Sequence, residues 1–154
     1  MYSFDASSMI LAWDNYPPEN PHFDSLWQWF SEQIDNKNFS ISAKALEEVG
    51  HKIPECGDWL KRNNIEVHPL TASSLATAQN IKNTLGIVED NYTKGVGEMD
   101  LFIISIAKEN AKILVSDESR QNKLPSLKSN YKIPAVCDLP EVSIECVSFL
   151  DLLK

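Results

Sequence analysis

KILVSDES, residues Lys112–Ser119, opens as a short apolar strand and stops on two carboxylates. Ile113, Leu114 and Val115 have no polar alternation, which marks a strand covered on both faces. The amino end repeats the pattern, because in MYSFDASS the run Tyr2–Phe4 meets Asp5. If the two strands lie parallel in one sheet, Asp5 and the Asp117–Glu118 pair reach the same edge. The carboxyl edge of parallel strands is where open α/β sheets gather ligands.

Outward from these two strands, helical and extended patterns alternate along the chain. Phe23, Leu26, Trp27, Phe30 and Ile34 share one helical face, after a loop at YPPENP, Tyr16–Pro21. Trp29 falls roughly 120° from that face, so it is either covered by a neighbouring loop or open to a partner. FSIS, Phe39–Ser42, reads as a strand running into the helix AKALEEVGHKI, and PECGDWLKRN opens another helix with Pro54 in its first turn. IEV, Ile65–Val67, is a further strand, and Thr71–Leu85 a helix closed by Gly86. After TKGVGEMD the run LFIISIA is apolar on every side, as a buried helix must be. A last strand in IECVSF and a short helix in LDLLK follow. Strands alternating with helices predict an α/β protein, a central parallel sheet with helices on both faces.

The 154 residues, 43% hydrophobic, suffice for one core and suggest a single domain over residues 1–154. No basic-then-apolar leader or membrane-length run occurs, so the expectation is a soluble, cytoplasmic protein with no membrane partner. Cys56, Cys137 and Cys146 contain no CxxC pair and read as free buried thiols, while His22, His51 and His68 match no ligand spacing. The net charge of −8 argues against nucleic-acid binding by bulk electrostatics.

Four places set a carboxylate beside apolar structure. Asp5 follows a strand and would also cap a helix starting near Ala6. Glu48 projects roughly 110° from the buried face of its helix and Glu47 roughly 150°, so Glu48 borders the core and Glu47 faces water. Asp100 stands in the first turn of the buried helix, where a negative charge is favourable, although Glu98 already supplies one. Asp117 and Glu118 end the strand Ile113–Val115, just after Ser116. Carboxylates gathered at one edge repel one another unless a cation neutralises them. Magnesium or manganese suits an all-oxygen set of this kind.

With YSFDASS, ALEEV, MDLFIISIA and ILVSDE in that order, the chain resembles a PIN domain. PIN domains are the small metal-dependent ribonuclease fold of toxins in bacterial VapBC-type toxin–antitoxin pairs. GDWLK at Gly57–Lys61 and the closing KIPAVCDLPEVSIECVSFLDLL are similar to one bacterial branch of that clan. The resemblance implies a three-layer α/β/α sandwich and an Mg²⁺- or Mn²⁺-dependent endoribonuclease. Its acids fall on Asp5, Glu48, Asp100 and Glu118, with Asp117 the second choice for the fourth. Ser7 and Ser116 would orient the acids or their waters, and Arg120 and Lys123, ahead of Lys44 and Lys94, would meet the RNA. An antitoxin protein and a second copy of the chain are the implied partners. Two other readings stay open: a PIN-like interaction module without catalysis, docking around Trp29, and a phosphate-handling receiver or phosphatase of similar topology. The second is weakened because no acid stands two residues after Asp5.

Overall fold

A computed structural model describes residues 1–154. Three of its strands set the architecture: β1 (Tyr2–Phe4), β2 (Phe39–Ser42) and β3 (Glu66–His68). They join β4 (Ile113–Val115) and β5 (Cys146–Val147) in one sheet of order β3-β2-β1-β4-β5, all neighbours parallel. Tyr2 pairs with both Phe39 and Ile113, and Phe4 with both Ile41 and Val115. The three central strands therefore end level, and Asp5, Ser42 and Ser116 follow side by side at the carboxyl edge.

The helices are α1 (Ala6–Asn15), α2 (Asp24–Asp35), α3 (Ala43–Lys52), α4 (Pro54–Arg62), α5 (Ala72–Thr84), α6 (Glu98–Glu109), α7 (Ile133–Cys137) and α8 (Phe149–Leu153). Right-handed crossovers decide their sides. The chain steps outward from β1 to β2 to β3, then returns past them to β4, so the helices before and after β3 cover opposite faces. One face is aromatic: Phe4 and Phe39 meet Phe30 of α2 at 5.1 and 4.8 Å between ring centres. Trp13 of α1 and Trp59 of α4 close on Trp27. Against the other face packs α6, flanked by α5 and α7. There β1 and β2 present Ser3 and Ser40, both buried, and these small side chains let the apolar helix lie close. The three-layer α/β/α sandwich expected from the sequence is the fold observed.

The local expectations hold with small shifts. Asp5, Ser42 and Thr71 cap α1, α3 and α5, and Gly86 closes the turn after α5 at φ +72°. Strand β3 starts one residue later than expected, at Glu66. The expected strand IECVSF shrinks to Cys146–Val147, because the Ile144 amide bonds Cys137 O at 3.0 Å instead of joining the ladder and Ser148 caps α8. Helix α7 was not anticipated, since five residues are too few to show a period. Trp29 is half-buried and rests edge-on against Phe39 of β2, ring centres 5.4 Å apart, so a strand rather than a loop covers it in part. Cys56 and Cys137 are buried free thiols, and Cys146 is half-buried. No helix is long and apolar enough to cross a membrane.

Candidate active site

Parallel strands that end level deliver whatever follows them to one place. Asp5 leaves β1 with its amide bonded to Val115 O of β4 at 2.9 Å, which pins the two strand ends together. Its carboxylate, 1% exposed, accepts the Ser8 amide on Oδ1 and the Ser7 hydroxyl on Oδ2, both at 2.8 Å. Ser7 Oγ in turn accepts the Asp117 amide at 3.3 Å, so one hydroxyl joins the acid of β1 to the loop after β4. Ser116, buried, accepts the Glu118 amide on Oγ at 3.2 Å and turns the chain after β4.

Ser42 starts α3 by accepting the Ala45 amide at 3.1 Å, and Glu48 follows two turns inside the helix, at the border its projection indicated. Glu47 is exposed, as the same projection required. Asp100 sits in the first turn of α6, where Oδ2 accepts the Gly97 amide at 3.0 Å.

These segments enclose a small cleft of about 60 Å³ lined by Asp5, Glu48, Asp100 and Glu118, with Ser7, Lys52 and the apolar walls Ala6, Ile10 and Ile103. All four acids singled out in the sequence are brought together. Asp117 is not among the lining residues. Its two carboxylate oxygens each lie 3.4 Å from the Phe149 amide, at the start of α8, so the alternation after β4 turns Glu118 inward and Asp117 away. Arg120 and Lys123 are also absent from the lining. Arg120 Nη1 is spent on the Ser116 and Glu118 carbonyls, at 2.6 and 3.0 Å, and Lys123 lies on an exposed loop. Lys44 and Lys94 do not line it either. The one lining cation is Lys52, which the sequence reading missed. Its signal was its place four residues after Glu48, and its Nζ stands 3.8 Å from Glu48 Oε1. Two larger hollows, of about 450 and 510 Å³, open over α3 and α4 and share none of the four acids.

The electrostatics follow from burial. Desolvation pushes the Asp5 carboxyl up to about 6, against the hydrogen bonds from Ser116, Ser8 and Ser7 that favour its charged form. Burial also raises Asp100, the Gly97 amide draws it back, and the charges of Glu118 and Glu48 push it up again. Asp100 is therefore repelled by Glu118 and Glu48 across the cleft, and a cation would relieve it. As the side chains stand, no three of His, Cys, Asp or Glu are grouped to hold a metal ion. The donor set nonetheless fits magnesium or manganese: it is all oxygen, and magnesium keeps several waters while taking one or two carboxylates. The cleft has room for an ion with some of its water.

The family model described as "Domain of unknown function (DUF4411)" matches residues 2–154. Among solved structures, a chain of the crystal structure of VapBC2 from Rickettsia felis, bound to a DNA fragment from their promoter, is similar with a TM-score of 0.59. Identity is 16%, over 97% of this chain and 99% of that one, so the likeness is one of fold, the three-layer α/β/α sandwich. The crystal structure of PAE2754 from Pyrobaculum aerophilum is similar with a TM-score of 0.46 at 13% identity, over 88% of this chain and 85% of that one. No curated protein sequence matches.

Proposed function

The chain belongs to the DUF4411 family, and we propose that within it this protein is an Mg²⁺- or Mn²⁺-dependent endoribonuclease that hydrolyses RNA phosphodiester bonds. One observation carries the reading: four carboxylates from four separated segments line one cleft at the carboxyl edge of the sheet. The fold shared with VapBC2 supports a place in a toxin–antitoxin pair, with a partner antitoxin holding the nuclease inactive in the cytoplasm.

Asp5, Glu48, Asp100 and Glu118 would hold the cation. When bound, it supplies Lewis-acid charge that acidifies water and offsets the negative charge gathering on the phosphate oxygens. The chain's own contribution is orientation. Ser7 and the Ser8 amide fix both oxygens of Asp5, the Gly97 amide fixes one oxygen of Asp100, and Ser116 sets the turn that aims Glu118. These bonds hold the acids in place before substrate arrives, which lowers the reorganisation needed for reaction. Ile10 and Ile103 keep the cleft walls apolar, so its charges are weakly screened.

The test is digestion of mixed cellular RNA by purified protein with manganese, with EDTA, and with Asp100→Asn. Cuts that need manganese and vanish in a variant of unchanged circular dichroism and melting are expected. Cutting by Asp100→Asn at the wild-type rate would remove Asp100 from the mechanism. Manganese binding with no cleavage of any RNA would favour an interaction module.

A further inference from the structure

An acidic cleft on a protein of net charge −8 repels a phosphate chain, so a nuclease built on it needs local cations to seat its substrate. Arg120 turns Nη1 to backbone carbonyls and does not line the cleft. Helix α3 offers an alternative. Lys44, Glu48 and Lys52 recur every four residues and so share one face, with Glu48 midway and the two lysine Cα atoms about 12 Å apart along the axis.

Lys52 lines the cleft, and its side chain is 62% exposed, its ammonium paired only with Glu48 at 3.8 Å. Lys44 is half-buried and poised 5.9 Å from the ring centre of Phe102, two residues beyond Asp100 on α6. One lysine is thus anchored at the α6 rim and the other at the opposite end of the stripe, with an acid of the cleft between them.

Resting on the nuclease reading, we infer that Lys44 and Lys52 form a phosphate track along α3. They grip the backbone of single-stranded RNA on either side of the position to be cut, and Lys52 exchanges Glu48 for a phosphate when a divalent cation occupies the cleft. The physical reason is charge balance. Glu48 cannot give its full charge to both the ammonium and the cation, and an ammonium beside the cation repels it. Lys52 therefore weakens cation binding in the free protein and strengthens RNA binding in the loaded one, two effects of opposite sign from one residue.

The experiment uses the full chain with Lys52→Gln, Lys44→Gln and, as control, Lys61→Gln on α4, which lies outside the acidic cleft. Calorimetry with Mn²⁺ should show Lys52→Gln binding manganese several-fold more tightly than wild type, and Lys61→Gln binding it as wild type does. Anisotropy of a labelled single-stranded RNA 20-mer is measured against salt in the Asp100→Asn background, at manganese concentrations that calorimetry on that variant shows to fill its cleft. Each of Lys52→Gln and Lys44→Gln should lower the slope of log affinity on log salt by about 0.7, one phosphate contact for a single strand. Unchanged slopes in both variants would overturn the track, and manganese affinity unchanged or weakened in Lys52→Gln would overturn the exchange. The nuclease reading fails separately: if wild type cuts no RNA while the slopes still fall, the track stands as a binding site and catalysis does not.

Discussion

At the scale of the residue, the acids of the cleft do two things at once. Asp5 caps α1 through the Ser8 amide, and Asp100 holds the Gly97 amide at the start of α6, yet both line the cleft. A carboxylate has about four lone-pair sites, so accepting one or two amide or hydroxyl protons leaves sites for a cation. Helix capping and metal holding are therefore not rival explanations of these two positions. Asp117 and Glu118, adjacent in sequence, separate more sharply: one meets the start of α8 and the other the cleft. Glu118→Gln is expected to lower RNA cleavage by at least about tenfold, the lower end of what lost metal-site partners cost. Asp117→Asn should leave the rate unchanged, with a melting shift from α8 worth about 0.3–1 kcal/mol. Equal loss in the two variants, by initial rates at saturating manganese, would put Asp117 in the site as well.

At the scale of the element, α3 and α4 cross closely, and two glycines on them have opposite roles. A Cβ on Gly57 would come within 3.0 Å of the Gly50 backbone, whereas a Cβ on Gly50 would meet nothing within 4 Å. Gly57→Ala must push the helices apart and is expected to cost about 1–3 kcal/mol. Gly50→Ala should add about 0.5–1 kcal/mol by removing a helix-interior glycine. Urea melts of the two variants check this, and a stabilised Gly57→Ala would mean the crossing has slack. The crossing matters for the site because α3 carries Glu48 and both lysines of the track.

At the scale of the whole molecule, the buried acids make stability depend on pH and on the cation. Asp5 has a folded-state value of about 6 against about 3.8 unfolded, so the fold prefers it protonated. Its contribution is complete below the unfolded value and is lost as pH rises through about 6, on the order of 3 kcal/mol. Burial moves Asp100 and Asp117 in the same direction. The amino terminus, pushed down to about 6 by burial, acts the other way between pH 6 and 8, so the informative window is pH 4 to 6. In EDTA the melting temperature should fall from pH 4 to 6, Asp5→Asn should flatten that fall, and manganese above pH 6 should restore stability by binding the folded state. A melting temperature that rises across this window in EDTA would contradict the buried-acid account.

The sequence by itself determined the layered α/β architecture, the two strands that end on acids, the buried α6 and the inward border position of Glu48. Each is written in local periodicity, since a buried strand has no polar alternation and a helix shows its core side every three to four residues. The tertiary structure alone decided which of Asp117 and Glu118 faces the cleft, because that turn lies beyond the last ladder bond and depends on where α8 begins. It alone also took Arg120 and Lys123 out of the cleft lining and put Lys52 in. Proximity in sequence ranked Arg120 first, but a long side chain goes where unpaired carbonyls draw it, and for Arg120 those are Ser116 and Glu118 O. Helix α7 and the shortened β5 belong to the same class: they are too short to carry a period and are set by bonds such as Ile144 N to Cys137 O. Periodicity encodes which face is buried; packing between distant segments decides what a flexible polar side chain touches.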